Sequence, residues 1–435
     1  MYGGPQYPQQ PPRPQYPPQG PQGPYGQMPP QRPAAPPKKR DPEATQRSVG
    51  KVLYWVGMFG GLWLLVQVFL LPPLWSKDPG LEYGSMLVGF LLAMPPLVIY
   101  LFIPWIVDRY DPEPLWALMM VLFWGAIAAC GFSALVNTQI QVGMTQLSGS
   151  RAFGSAVGAC ISAPVIEEAT KGIAVFFMFY AFRRDFDGVV DGIIYGCFAA
   201  LGFAAVENVI YYSRAVKTEM ITNREGILAG TFVVRGILAP WGHPLYTAMT
   251  GIGFGVARET DKGWLKWVAP MAGYCAAMFL HSVWNTAATI SNTAVFLMLP
   301  LWFIFVFAFF CMVVWLVRRK GKIIRKHLED EVLMGMLTVQ ELDLVTSPIN
   351  WWKTGSWGGA PARRFVEAAA RLSLSKWHAG RASRSRKLTV SADFVVPLRQ
   401  DLAKYRAEMS RALGRQLPQP QPWTPGSPPP FKPTK

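Results

Sequence analysis

The chain has 435 residues, 51% of them apolar and only 16% charged, and the apolar residues come in long blocks. A block of about 20 apolar residues crosses the hydrocarbon core as a helix, so this composition excludes an ordinary soluble globular protein. The formal net charge is +16, and 22 Lys/Arg against 9 Asp/Glu lie from Arg318 onward, a bias that the positive-inside rule and anionic lipid explain without nucleic acid as a partner.

Residues 1–40 contain 14 Pro and 8 Gln. They offer too little apolar surface to offset the entropy of ordering, so residues 1–50 are expected to form a disordered cytoplasmic tail. No short apolar region with a small-residue cleavage site opens the chain, so no secretory signal is expected within it. A basic patch (Lys38, Lys39, Arg40, Arg47, Lys51) precedes the first apolar block.

Hydropathy and helix length then predict eight spans, at roughly 52–71, 84–107, 115–140, 153–182, 188–212, 227–257, 264–290 and 294–317. The fold class is therefore all-α, a polytopic integral membrane protein with about eight transmembrane helices filling residues 51–317. Pro95, Pro96 and Pro104 are expected to kink the second span, and Pro240 with Pro244 to interrupt the sixth. The five cysteines (Cys130, Cys160, Cys197, Cys275, Cys311) fall within apolar blocks without a CxxC spacing, as buried free thiols do. Gly251-Ile-Gly-Phe-Gly255 is a helix-packing signal.

Short-loop charge places both termini in the cytoplasm. Arg109, Arg183, Arg184, Arg258, Lys262 and the run from Arg318 to Lys326 then lie inside, and Lys77, Arg151, Arg214, Lys217 and Arg224 outside. Residues 318–415 read as a basic helical cytoplasmic region, with helical periodicity at 361–374 and 391–413. Residues 416–435 read as a disordered tail, and His327 and His378 as ordinary surface residues.

Ionisable groups inside a bilayer are costly and default to function. Span four carries Glu167, Glu168 and Lys171; span five Asp191 and Glu207-Asn208; span six His243; span seven His281 and Asn285. At about 1.5 Å per residue, Glu167, His243 and His281 fall near one mid-bilayer plane, with Glu207 nearer the outer side. Two imidazoles and a carboxylate make a three-ligand zinc site with an open position, and a further carboxylate can act as general base. His243, His281 and Glu207 are the expected metal ligands, and the base falls between Glu167 and Glu168. These two are neighbours and cannot point the same way, and Lys171 reaches either. His243/Thr247 and His281/Asn285 are i,i+4 pairs on one face, which makes Asn285 a support for an imidazole or an oxyanion.

The ordered set of segments resembles the PrsW-type membrane proteases, relatives of the CAAX-prenyl-protease and bacteriocin-processing superfamily. Asp108-Arg-Tyr-Asp-Pro-Glu-Pro114 is similar to that family's acidic loop, and Glu167-Glu168-Ala-Thr-Lys171 to its paired-glutamate motif. Asp191-Gly-Ile-Ile-Tyr-Gly196 with Gly202-Phe-Ala-Ala-Val-Glu-Asn208 is similar to its fifth-span signature, and His243/Thr247 and His281/Asn285 to its two histidine motifs. The resemblance implies an intramembrane peptidase of the bacterial cell membrane, with Glu167, Glu168, His243 and His281 at the active site. It puts Glu207 where the wider superfamily often has a histidine. It also implies a membrane-anchored protein substrate, such as an anti-sigma factor in a stress-signalling pathway.

Two rivals stand beside the zinc peptidase. A metal-independent protease would let the paired glutamates activate water while the histidines polarise the carbonyl. A proton- or cation-coupled transporter would use the buried Glu/His set as a relay, although the two halves of the chain show no obvious repeat.

Overall fold

The computed structural model describes residues 42–107, 110–347, 349–384 and 391–425, together with 427, 430 and 431. Among these, every regular element is helical. The first 41 residues of the expected N-terminal tail, and Asp108 and Arg109 of the acidic loop, lie outside them.

The eight predicted spans fall on helices in chain order. Span one is α1 (Pro42–Leu65), extended by a π turn (Val66–Leu70), and span two is α2 (Pro79–Val107). Span three joins α3 (Leu115–Phe123) to α4 (Cys130–Ser148) through a π segment. Span four joins α5 (Arg151–Val157) to α6 (Ala163–Ala181) in the same way. Span five is α7 (Val189–Thr222). Span six is α8 (Ile227–Phe232), a π segment (Val233–Leu238), a break, and α9 (Gly242–Glu259). Spans seven and eight are α10 (Leu265–Ile290) and α11 (Asn292–Leu333).

Among the described residues, five of these stretches are long and apolar enough to cross a membrane by themselves: Thr45–Trp75, Pro79–Val107, Leu115–Ser148, Val189–Thr222 and Asn292–Leu333. Spans four, six and seven are absent from that set, and they carry the site's Glu167, Glu168, Lys171, Arg235, His243 and His281. The protein is an all-α membrane protein.

Prolines act differently in the two expected places. α2 runs through Pro95, Pro96 and Pro104 without interruption, whereas span six breaks after Leu238 and restarts at Gly242. Pro244 then sits in the first turn of α9, where its missing N–H costs nothing. The Tyr100 hydroxyl donates to Gly236 O at 2.7 Å, supplying a partner beside the break.

α7 is the central helix, buried from Val189 to Phe203. It meets α9 where Gly192 and Gly251 face one another, each carbonyl filling the space a Cβ would need on the other. Small residues of this kind let helix backbones approach within a membrane.

α11 continues past the apolar region to Leu333; α12 (Val339–Thr346) and α14 (Ala360–Arg384), with the short α13 (Asn350–Lys353) between them in sequence, pack on its extension, and α15 (Val395–Leu413) packs on α14. Buried Arg406 forks onto Glu341 at 2.6 and 2.8 Å. Glu331 takes Arg399 at 2.7 Å and Lys376 at 2.8 Å. α14 then crosses one end of the helix bundle, where Arg371, His378 and Arg381 meet Asp111, Asp187 and Asp261 at 3.1, 3.6 and 3.6 Å. The three aspartates belong to three different inter-span loops. His378, expected to be an ordinary surface residue, is therefore a half-buried contact between the helical tail and the bundle.

Part of the expected disordered end is also packed. Leu417 is buried, and the Trp423 N–H donates to Leu333 O at 2.9 Å. The proline-rich stretch around them has few N–H groups to satisfy, and it lies against the end of α11, where Pro422 approaches Gly335.

Candidate active site

The π segment Gly158–Ser162 displaces two carbonyls from the regular ladder of span four. α10 takes both: Ser282 Oγ donates to Cys160 O at 2.6 Å and Asn285 Nδ2 to Ala159 O at 2.9 Å. The next turn begins at Ala163-Pro164 and projects Glu167, Glu168 and Lys171 into the interior, all three buried. Across from them, the restart of span six puts His243 on the first turn of α9, and α10 brings in buried His281. π segments recur at functional sites because they re-aim side chains.

Glu168 is fully engaged. Its Oε1 accepts from Lys171 Nζ at 2.6 Å and lies 3.0 Å from His281 Nδ1, and its Oε2 accepts from Thr247 Oγ1 at 2.8 Å. A carboxylate only accepts, so His281 donates through Nδ1 and presents Nε2 as a lone pair. That Nε2 stands 3.9 Å from Glu167 Oε2. The other oxygen of Glu167 accepts from Asn137 Nδ2 at 3.3 Å, and Asn137 Oδ1 accepts from Ser162 Oγ at 2.7 Å. Glu167 Oε2 itself is buried without a hydrogen-bond partner.

His243 is held from both sides. Lys171 Nζ stands 3.0 Å from its Nδ1, and Nε2 lies 2.8 Å from Glu207 Oε2. An ammonium only donates, so the chemistry of the partners assigns the proton to Nε2, which donates to Glu207. The same Glu207 oxygen also takes Arg235 Nη2. Arg235 Nε donates to Asn208 Oδ1 at 2.8 Å, and its guanidinium lies 3.8 Å from the Tyr211 ring centroid.

One metal-sized grouping emerges among the described residues. Ligating atoms of Glu167, His243 and His281 lie within 4.8 Å of one another. The donor set is the nitrogen and oxygen set that zinc accepts. The orphaned Glu167 Oε2, facing an imidazole lone pair, is an arrangement that calls for a cation between two acceptors. These residues fit a divalent metal ion, Glu167 Oε2 and His281 Nε2 as they stand and His243 through the nitrogen it would release from Lys171 or Glu207.

Beside the cluster is a small cavity lined by Glu207, Arg235, His243, Tyr246, His281 and Asn285, with α2 residues Ala93 to Tyr100 along its far wall. Of the residues expected from sequence, Glu207, His243, His281 and Asn285 therefore meet at one space. Glu167 sits behind the histidines, and Glu168 beneath His281. The structure thus puts Glu167, rather than Glu207, in the grouping with the two histidines. Asn285 reaches the cavity, but its amide already serves Ala159.

Three participants escaped the sequence reading: Arg235, Tyr246 and Asn137. A lone cation in the apolar run Phe232-Val-Val-Arg235-Gly-Ile-Leu238 is a signal of the kind that picked out the glutamates, and it could have identified Arg235. Tyr246 lies on α9 between the two residues of the His243/Thr247 pair, and nothing in its residue type separates it from the many membrane tyrosines.

Residues 113–316 match the profile of the PrsW family intramembrane metalloproteases. The chain is 27% identical over 180 residues to Protease PrsW of Geobacillus kaustophilus, covering 41% of this chain and 69% of the relative. It is 26% identical over 198 residues to Protease PrsW of Bacillus subtilis, covering 44% and 79%. Against Protease PrsW of Clostridioides difficile it is 33% identical over 124 residues, covering 28% and 49%. No solved structure matches the chain.

Proposed function

We propose that this chain, which belongs over residues 113–316 to the PrsW family of intramembrane proteases, hydrolyses membrane-anchored proteins with water activated at Glu167, His243 and His281. The observation that carries this reading is the buried, partnerless Glu167 Oε2 beside the His281 lone pair, with His243 in the same grouping. Those three residues would hold a divalent ion, with zinc the best fit to the donor set. When bound, the ion supplies Lewis acidity, which makes water nucleophilic at neutral pH and polarises a carbonyl.

The remaining residues have separate tasks. Glu168 fixes the tautomer and ring orientation of His281, as carboxylates behind ligating histidines do. Glu207 lines the cavity and accepts the proton that attacking water releases, held in place by Arg235, which Asn208 in turn braces. Glu167 and Glu207 therefore exchange the roles expected from sequence. A membrane-anchored anti-sigma factor is a substrate of the class the family resemblance implies. Both termini are assigned to the cytoplasm, supported by the docking of the basic C-terminal region on the loops that carry Asp111, Asp187 and Asp261.

A second reading rests on His243, both of whose nitrogens are already engaged, by Lys171 and Glu207. There, Glu167 acts as a base without metal, and the histidines polarise the carbonyl. Chelation of purified protein that cleaves a membrane-anchored peptide separates the two. Loss of cleavage with recovery on added zinc supports the metal reading, and cleavage that persists after chelation supports the glutamate reading.

A further inference from the structure

Tyr246 is 1% exposed, and its hydroxyl has no hydrogen-bond partner. A buried phenol normally finds one, because leaving the group unpaired forfeits its hydration. The ring is stacked on His281, with centroids 5.1 Å apart and planes at 20°, and it meets His243 edge-on at 6.1 Å. Its hydroxyl lies beside Gly242, where a Cβ would stand 3.4 Å away, and the residue lines the same cavity as Glu207, His243 and His281. An unspent O–H donor is thus held rigidly at the wall of the reaction space.

We infer that Tyr246 is a catalytic residue whose hydroxyl donates a hydrogen bond to the oxyanion formed during peptide hydrolysis; this rests on the protease reading above. In the step concerned, the oxygen of water bonds to the carbonyl carbon and its proton passes to Glu207. The carbonyl π pair moves onto oxygen and stays there through this step, and the Tyr246 hydroxyl donates a hydrogen bond to it. As the C–N bond then breaks, that pair re-forms the carbonyl and the leaving nitrogen takes the proton from Glu207.

Asn285, the sequence-level choice for this role, already donates through Nδ2 to Ala159 O. Tyr246 has no such prior commitment. A donor that meets its acceptor only as charge develops favours the transition state over the bound substrate.

The test is Tyr246→Phe in the full-length protein, measured for cleavage of a membrane-anchored peptide, thermal midpoint in detergent and inhibition by a phosphinic peptide. The expected result is a kcat lower by about 100-fold with KM unchanged, since removal of one oxyanion donor typically costs that much. The phosphinic peptide should bind more weakly to the variant, while the midpoint stays the same or rises, because an unpaired hydroxyl has been removed.

A variant that cleaves as well as wild type overturns the inference and leaves the protease reading intact. A variant with a lowered midpoint overturns it too, since the hydroxyl then has a structural partner to lose. Wild-type protein that cleaves nothing removes the protease reading, and this inference with it.

Discussion

Glu168 Oε1 and His281 Nδ1 lie 3.0 Å apart, both fully within the protein, and this one contact fixes which nitrogen His281 turns toward Glu167. The carboxylate also carries the Lys171 ammonium and the Thr247 hydroxyl. Glu168 is thus the hub of the site rather than its free base. Glu168→Gln should leave Lys171 as a buried charge with a neutral partner, a change of the class that costs about 3–5 kcal/mol. Denaturant unfolding in micelles should show a clear loss. Zinc affinity, read by titration, should fall about 10–100-fold, as for other partners of ligating histidines.

Arg235 is the only cation that touches Glu207 among the hydrogen bonds of the described residues. Arg235→Gln should therefore lower kcat by roughly 10–100-fold through misplacement of Glu207, with metal content retained. Arg235→Lys should recover part of the loss, because a point charge restores the pairing but not the second bond to Asn208. Equal activity in all three proteins would remove Glu207 from the proton-accepting role.

The Gly192/Gly251 crossing leaves no space for a side chain on either helix. Gly251→Val should separate α7 from α9 and so pull His243 away from Glu207. Overpacking of this kind costs typically about 1–3 kcal/mol. A lowered thermal midpoint together with lost activity is the expected pair of results, and unchanged values of both would show that the crossing can relax.

Two groups outside the spans give the docking of α14 a pH dependence. Burial, then the charges of Asp111 and Asp191, push the Asp187 carboxyl up to about 8. Its contribution to stability is therefore complete below the ordinary carboxylate range and is lost as pH rises toward 8. Burial, then Arg381 and Arg258, bring His378 down to about 4. Its contribution is complete above the ordinary imidazole value, about 6.5, and is lost as pH falls toward 4. The two oppose one another between about 4 and 6.5, and Asp187 acts alone from there to about 8. Unfolding followed against pH should show stability falling from 6.5 to 8 in wild type and flat over that interval in Asp187→Asn. His378→Gln should become more stable on acidification from 6.5 to 4.

Much of this architecture is legible in the sequence because bilayer physics is severe. The eight apolar blocks fall on helices, five of them in stretches long and apolar enough to cross a membrane among the described residues, and the convergence of Glu167, His243, His281 and Glu207 followed from depth along the helices. Lys171 could be assigned to either glutamate by spacing alone, and only the packing of α9 and α10 around Glu168 decided between them. That the metal-sized grouping takes in Glu167 rather than Glu207 was beyond reach for the same reason: depth gives no rotation about a helix axis, and the π segments at 158–162 and 233–238 alter that rotation. The role of His378 depended on α14 folding back across the bundle, a long-range contact that local pattern does not encode.

The most direct test of the central claim is the metal content of purified wild type, Glu167→Gln and Glu207→Gln, measured beside their cleavage of a membrane-anchored peptide. Wild type should carry about one zinc per chain and cleave, Glu167→Gln should lose both, and Glu207→Gln should retain zinc without cleavage. Wild-type protein that cleaves while free of metal, or Glu167→Gln protein that keeps a full complement of zinc, would contradict the claim.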